Sequence, residues 1–337
     1  MENRENRFGF KAYKPGMVCR EGKQYRENEV FVEDKAIVYQ CGIHYCVHPI
    51  NVFNSYDLVN RECELNWFSP VEALGEVKEH RGVEFCTNKI RIGEKMEFAE
   101  FLQACMDNMA VKKNSREISD SGYRSAIGSV SDNAEIVSSG DSAMIVTSGW
   151  NSNISVSGSN SVVLSTGSHL NISSKKIGTK IGVSGECVRV TASGEDTQIA
   201  STDTSAYINF SGNSSRVVST GHHAEIISTG DYSQISSEGV HANIMCIGKH
   251  TFVRSSGNSV KIHVSGSGSW VNSTGKNAVI TCTGNGCKVK AAAGSWITFT
   301  EAGDFTHVKT VCVDNETVKE DTWYTLKNGR LIETVVI

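Results

Sequence analysis

From residue 113 to residue 292 the chain repeats every nine residues, and no other feature restricts its fold so tightly. Counted from Lys113 in steps of nine, the first position falls at 113, 122, 131 and so on to 284. Glycine occupies it in 16 of 20 repeats, the exceptions being Lys113, Ser131, Lys176 and Asp203. The sixth position is Ile or Val in all 20, from Ile118 and Ile127 to Val289. Such a period is not helical, because 3.6 residues per turn would carry the sixth position steadily around the axis. Short strands fit it, with positions four, six and eight inward and five and seven outward. Glycine at the first position is expected to supply the positive φ of a tight corner.

One repeat cannot bury its own apolar face, so neighbours must stack. In alternate repeats position four is mainly Ser or Thr (Ser125, Ser161, Thr179, Thr197, Ser215), and between them it is mainly apolar (Ala134, Leu170, Val188, Ala206, Ala224). The structural unit is therefore 18 residues, two strands per coil, with a Ser/Thr-lined wall facing an apolar one. Ten coils at the ~4.8 Å spacing between strands give a rod of roughly 50 Å. After Ala292 the register slips by one. Gly294 and Gly303 are read as restarting it, with Phe299 and Val308 in the sixth position, which takes the solenoid to residue 311.

The fold class expected is mostly β: a β-solenoid of nonapeptide repeats with a small α+β domain before it and a β-hairpin cap after it. Residues 1–92 lack the repeat and form that first domain. Strands are expected around Gly9–Tyr13, Val30–Val32, Ala36–Tyr39, Val71–Val77 and Lys89–Ile92, with a helix after Pro49. Residues 93–112 are read as a helix capping the open solenoid end, with Phe98, Leu102, Cys105 and Met109 on its apolar stripe. Residues 312–337 form the C-terminal cap, in which Asn328-Gly329 turns a hairpin between Thr322–Leu326 and Leu331–Val336.

A net charge of −4 from 33 basic and 37 acidic residues gives no global field toward nucleic acid or an anionic membrane. Residues 113–311 hold 14 Asp/Glu against 15 Lys/Arg, so mimicry of duplex DNA is disfavoured, and no duplex DNA or membrane partner is expected. The charged start Met1-Glu2-Asn3-Arg4 does not read as a signal peptide, and 11 scattered cysteines read as reduced thiols of a cytoplasmic protein. Turn aspartates are sporadic (Asp132, Asp141, Asp203, Asp231), which argues against stacked calcium sites. The mixed outward fifth position (Glu225, Gln234, Asn243, Phe252, Lys261, Trp270) argues against an ice-binding array.

No catalytic set emerges, and no cofactor is expected. Cys41, His44, Cys46 and His48 lie within eight residues, a zinc-like composition. Strand alternation, however, places His44 and Cys46 on one face and Cys41 on the other, so no metal site is assigned. Cys46 as a nucleophile with His44 as its base is a second reading, without an identifiable third group. Arg20 and Gln24, near Cys19, are read with His44 and Cys46 as lining a polar pocket for a small nucleotide-like ligand. In the solenoid, Phe252 and Trp270 stack in the fifth position with Met144 and Val162 on the same face, and Arg254 and Lys290 flank them at the seventh. That stripe is read either as a surface for a protein partner or a second copy, or as packing beneath the N-terminal domain or the cap. His223 and His241 are expected to stack on adjacent coils.

Gly9-Phe10-Lys11-Ala12-Tyr13, Cys19-Arg20, Gln24-Tyr25, Gly42-Ile43-His44-Tyr45-Cys46 and Thr87-Asn88-Lys89-Ile90 resemble an N-terminal domain found in phage, prophage and gut-bacterial proteins. Its members often carry glycine-punctuated repeats behind it and end in segments like Ala293-Gly294-Ser295-Trp296-Ile297 and Asp321-Thr322-Trp323-Tyr324-Thr325-Leu326. Related chains often place a cysteine three residues before the motif glycine; here Cys41 adjoins Gly42. The resemblance implies a mobile-element origin and no particular activity. The leading expectation is a non-enzymatic binding or scaffold protein in the host cytoplasm, counteracting a host defence by holding a protein or a small signal. The alternatives are an enzymatic or ligand-binding head on a solenoid stalk, or a component of a virion or appendage.

Overall fold

The structure is a computed structural model and describes residues 4–109, 112–113, 115–303 and 306–335. The chain is mostly β, with a solenoid of 18-residue turns and a small N-terminal domain. The first wall runs from Ala126–Ser129 to Lys288–Ala291 and the second from Glu117–Asp120 to Trp296–Glu301. Within each wall strands pair in parallel at a spacing of 18, as in Ile127↔Ile145↔Val163 and Ile136↔Ile154↔Ile172. Position six thus forms two stacked columns that meet in the interior, where each isoleucine and valine is buried.

The glycines serve a different purpose from the one expected. Positive φ falls at the third position, on Arg124, Asn133, Ser142, Asn151, His169, His223 and their equivalents, most of them not glycine. The first-position glycines lack positive φ, and from Gly140 onward they sit against the backbone of the preceding coil. A Cβ on Gly158 would lie 1.9 Å from the Gly140 carbonyl oxygen, and one on Gly248 would lie 2.0 Å from that of Gly230. Close stacking of backbone on backbone, rather than backbone conformation, selects glycine there.

Part of the Ser/Thr wall is satisfied locally, while the hydroxyls of Ser125, Thr147, Ser219, Ser237, Ser255 and Ser273 are buried without a partner among the described residues. Ser161, Thr197, Ser215, Ser233 and Thr251 each donate to the first-position carbonyl three residues earlier, at 2.7–3.2 Å. At the second position, Asp132, Asp141 and Asp231 each accept the backbone N–H one coil later, at 2.7–3.0 Å. The turn aspartates thus tie successive coils together.

The solenoid ends earlier than the repeat suggests. Ile297 pairs with Ile280 and Phe299 with Cys282, so one residue is deleted from the turn; Ile297 takes the sixth position and Phe299 the eighth. Gly294 (φ +82°) is the positive-φ third residue of that corner, equivalent to Asn277, and does not restart the period. The next strand, His307–Cys312, runs antiparallel to Trp296–Glu301 and leaves Val308 exposed, so it caps the second wall. Trp323–Lys327 and Arg330–Thr334 form the expected Asn328-Gly329 hairpin, antiparallel on Lys288–Ala291. Val336, assigned to that hairpin from sequence, lies outside the described residues.

The N-terminal domain has strands β1 (Phe8–Tyr13), β2 (Val30–Val32), β3 (Ile43–Tyr45), β4 (Trp67–Ala73), β5 (Val77–His80), β6 (Glu84–Thr87) and β7 (Lys89–Ile92). They form two antiparallel sheets, β1-β4-β7-β2 and β3-β6-β5. Residues 36–39 make a turn closed by an Ile37–Cys41 bridge, not a strand, and the segment after Pro49 is a 3-10 helix, Pro49–Asn54. Helix α1 (Phe98–Asp107) starts after Glu97, whose N–H donates to Glu100 Oε2 at 2.8 Å in a capping box.

Helix α1 does not cover the solenoid end. Its buried Phe98, Phe101, Leu102, Cys105 and Met106, with Met109 just beyond its end, pack on the outer face of the first wall, against Val146, Val162, Leu164, Ala200 and Val218. Those are outward fifth- and seventh-position residues. Ordinarily they would be polar, and here they are apolar because the N-terminal domain lies along them. Polar contacts fix the register: Gln198 Oε1 accepts from the Leu58 and Val59 N–H groups at 2.8 and 3.1 Å, Arg216 reaches Asp57 at 3.4 Å, and Lys180 donates to the Phe53 carbonyl at 2.8 Å.

Candidate functional site

The N-terminal domain holds a cavity of about 410 Å³ between β1, β3, the Cys19–Glu21 turn, the Tyr39–Gly42 turn and the 3-10 helix. Two glycines bring its walls together. A Cβ on Gly9 would meet the Cys46 carbonyl oxygen at 2.5 Å, where Phe10 and Cys46 exchange backbone hydrogen bonds of 2.7 and 2.9 Å. Gly42 (φ +99°) turns the chain beneath Cys86, whose sulfur would lie 2.6 Å from an added Cβ. Two of the segments that carry the family resemblance, Gly9–Tyr13 and Gly42–Cys46, therefore meet at this cavity.

Of the residues singled out from sequence, Arg20, His44 and Cys46 line it. Gln24 does not; its side chain donates to the Gly16 carbonyl at 3.2 Å on the surface. Cys41 also lines the cavity, because Gly42 breaks the alternation that would have turned it away. Among the described residues no three His, Cys, Asp or Glu side chains are grouped to hold a metal ion.

His44 Nε2 accepts the Tyr39 backbone N–H at 3.0 Å. Burial and the nearby Lys11 charge lower its pKa, consistent with that neutral accepting role. Burial pushes the Cys46 thiol up to about 12, so the His44/Cys46 pair is a poor source of thiolate. Glu84 is pushed up by burial, but hydrogen bonds from Tyr39 and Ser55 outweigh this and hold its carboxyl below the usual range. Arg20 lies 5.4 Å from the centre of the Tyr56 ring.

Sequence reading missed the residue at the centre of this site. Lys11, on β1, lines the cavity, is only 6 % exposed, and donates to the His44 carbonyl at 2.9 Å. Its ammonium lies 5.3 Å from the Tyr25 ring and 5.7 Å from the Tyr13 ring, and burial lowers its pKa to about 8. Alternation along β1 places Lys11 on the opposite side from Phe10 and Ala12, yet nothing local to the sequence marks its side as enclosed.

The solenoid stripe is divided among intramolecular contacts. Met144 and Val162 pack in the cluster beneath the N-terminal domain. Arg254 pairs with Glu64 of that domain at 3.6 Å, and Lys290 pairs with Asp321 of the cap at 2.7 Å. Phe252 and Trp270 are register partners and half-buried, with Lys288 5.5 Å from the Trp270 ring. Arg254 also borders an open, polar cleft of about 750 Å³ between domain and solenoid, with Trp67, Lys95 and Glu238. His223 and His241 stack at 5.3 Å on successive corners.

Residues 8–104 match the family model of a domain of unknown function, DUF7666, which spans both N-terminal sheets and most of α1. No curated protein sequence and no solved structure matches the chain. Among the described residues no helix is long and apolar enough to cross a membrane.

Proposed function

We propose that this chain is a non-enzymatic binding protein whose N-terminal domain holds a small nucleotide-like ligand and whose solenoid is the rigid body that carries it. The single observation behind this reading is the cavity that gathers Lys11, Arg20, Tyr25, Tyr39 and Tyr56 from four separate segments. Aromatic faces with a few placed cations are the ordinary furniture of a small-ligand site. Binding is favoured over catalysis because Cys46 is held as a thiol and His44 Nε2 is engaged by the backbone. The resemblance to phage and prophage proteins supports a mobile-element origin. With it, sequestration of a small signal in a host cytoplasm is the specific role we favour.

Native mass spectrometry of the full chain with a panel of mono- and dinucleotides tests the proposal. One ligand per chain, unchanged over hours, is the expected result. Absence of binding across the panel, or steady conversion of a bound ligand, would sink it.

A further inference from the structure

The cavity of the N-terminal domain contains an unsatisfied cation. An ammonium carries three donors. Lys11 uses one on the His44 carbonyl at 2.9 Å, and among the described residues no carboxylate pairs with it and no second acceptor takes its other N–H groups. Two tyrosine rings partly offset the charge. Of the acids on the cavity, Glu84 is bound by Tyr39 and Ser55 and Glu33 by Lys23, and Glu21 acts on Lys11 through space without forming an ion pair with it. Burying a charge without a partner is unfavourable enough that proteins seldom keep one without a use for it.

We propose that Lys11 is the anchor for the anionic group, phosphate or carboxylate, of the ligand that enters this cavity. The proposal rests on reading the cavity as a ligand site and adds the chemistry of what it seats. Arg20, on the same cavity, supplies a second cation that is held against Tyr56 without a carboxylate partner among the described residues. Phosphate or carboxylate oxygens would accept the free N–H groups of Lys11 and lift the desolvation that now weakens its hold on the proton.

The protonation chemistry follows from the groups around Lys11. Cys19, Cys46, Cys86 and Glu21 raise its pKa slightly, Tyr13 and Tyr25 face it with their rings, and His44 offers its carbonyl. Burial is the largest influence and brings the free protein to about 8. An anion favours the charged form, so binding above about pH 8 takes up a proton and affinity falls as the pH rises further.

The test compares the wild-type chain with Lys11→Met by titration calorimetry and thermal melting, using inorganic phosphate, adenosine monophosphate, succinate and adenosine. Wild type is expected to bind at least one anionic probe more tightly than adenosine, with proton uptake at pH 8.5. Phosphate against succinate tells which acid group is preferred. Lys11→Met is expected to weaken that anion by roughly 10- to 100-fold, the loss of a charge-assisted hydrogen bond. In the absence of ligand it is expected to melt higher than wild type below about pH 8, because an uncompensated charge has been removed. A purely structural lysine gives the opposite pattern: a lower melting temperature and unchanged anion binding, which overturns the proposal. Failure of every anion to bind wild type also overturns it. If adenosine alone binds, the cavity remains a ligand site and only the role of Lys11 is lost.

Discussion

The side-chain oxygen of Gln198 accepts the backbone N–H of Leu58 at 2.8 Å, joining a solenoid strand to a loop of the N-terminal domain 140 residues earlier. The same oxygen accepts from Val59 at 3.1 Å, and the Gln198 amide donates to Asp57 at 2.9 Å, so one buried side chain satisfies three groups of the loop. The head is therefore docked along the first wall of the solenoid through this loop.

Replacing Gln198 with Leu leaves the Leu58 and Val59 N–H groups buried without acceptors. We expect a loss of about 2–3 kcal/mol from the docked state. Faster hydrogen exchange at 56–66, with the solenoid walls unchanged, is the measurement that checks it; uniform loss of protection in both regions would contradict independent docking.

The two kinds of glycine should respond differently to substitution. Gly248→Ala places a methyl 2.0 Å from the Gly230 carbonyl oxygen and is expected to cost about 1–3 kcal/mol, as overpacking does. Gly286, with φ +69° and open space around it, occupies the corner position where Asn277 stands one repeat earlier. Gly286→Asn should change the denaturation midpoint little.

Asp203 sits where most repeats have glycine and is 1 % exposed, with Oδ2 accepting the Val188 N–H at 2.8 Å and Oδ1 unpartnered. Burial raises its carboxyl to about 6 from the usual 3.8. The folded state then holds the proton more tightly than the unfolded one, so its contribution is most favourable below about pH 4 and is lost as the pH rises through 6. Asp203→Asn is expected to stabilise the chain by roughly 1–3 kcal/mol at pH 7 and by little at pH 4. Denaturant melts at the two pH values decide this, and an equal effect at both would contradict the assignment.

Thiol labelling distinguishes the cavity cysteines. Cys41 and Cys187 are exposed, whereas Cys46 is buried with its pKa pushed up to about 12. Iodoacetamide at pH 7.5 should label Cys41 and Cys187 first and spare Cys46 in the native chain. Rapid labelling of Cys46 would revive it as a nucleophile.

Much of the architecture was legible in the repeat, because Ile or Val at a fixed ninth-residue interval leaves only stacked strands as a way to bury them. The Asn328-Gly329 hairpin was legible for a similar reason: the dipeptide is matched to positive φ at both turn residues, 51° and 69° here. The corner glycines misled, since a one-letter pattern does not separate a residue chosen for φ from one chosen for the lack of a Cβ. Gly294 misled in turn, because a one-residue deletion moved it into the third position.

The candidate site was legible in part. Arg20, His44 and Cys46 stand in short motifs, but Gln24 was placed there only by its nearness in sequence. Lys11 escaped notice because its significance lies in what surrounds it after folding.

What the sequence by itself determined is the solenoid, its 18-residue coil and its inward columns, since periodic burial is a local property repeated many times. What only the tertiary structure decided is that α1 and the Asp57–Val59 loop lie along the first wall, and that Lys11 is buried without a carboxylate. Both depend on contacts between segments far apart in the chain, where shape and desolvation, rather than spacing, select the outcome.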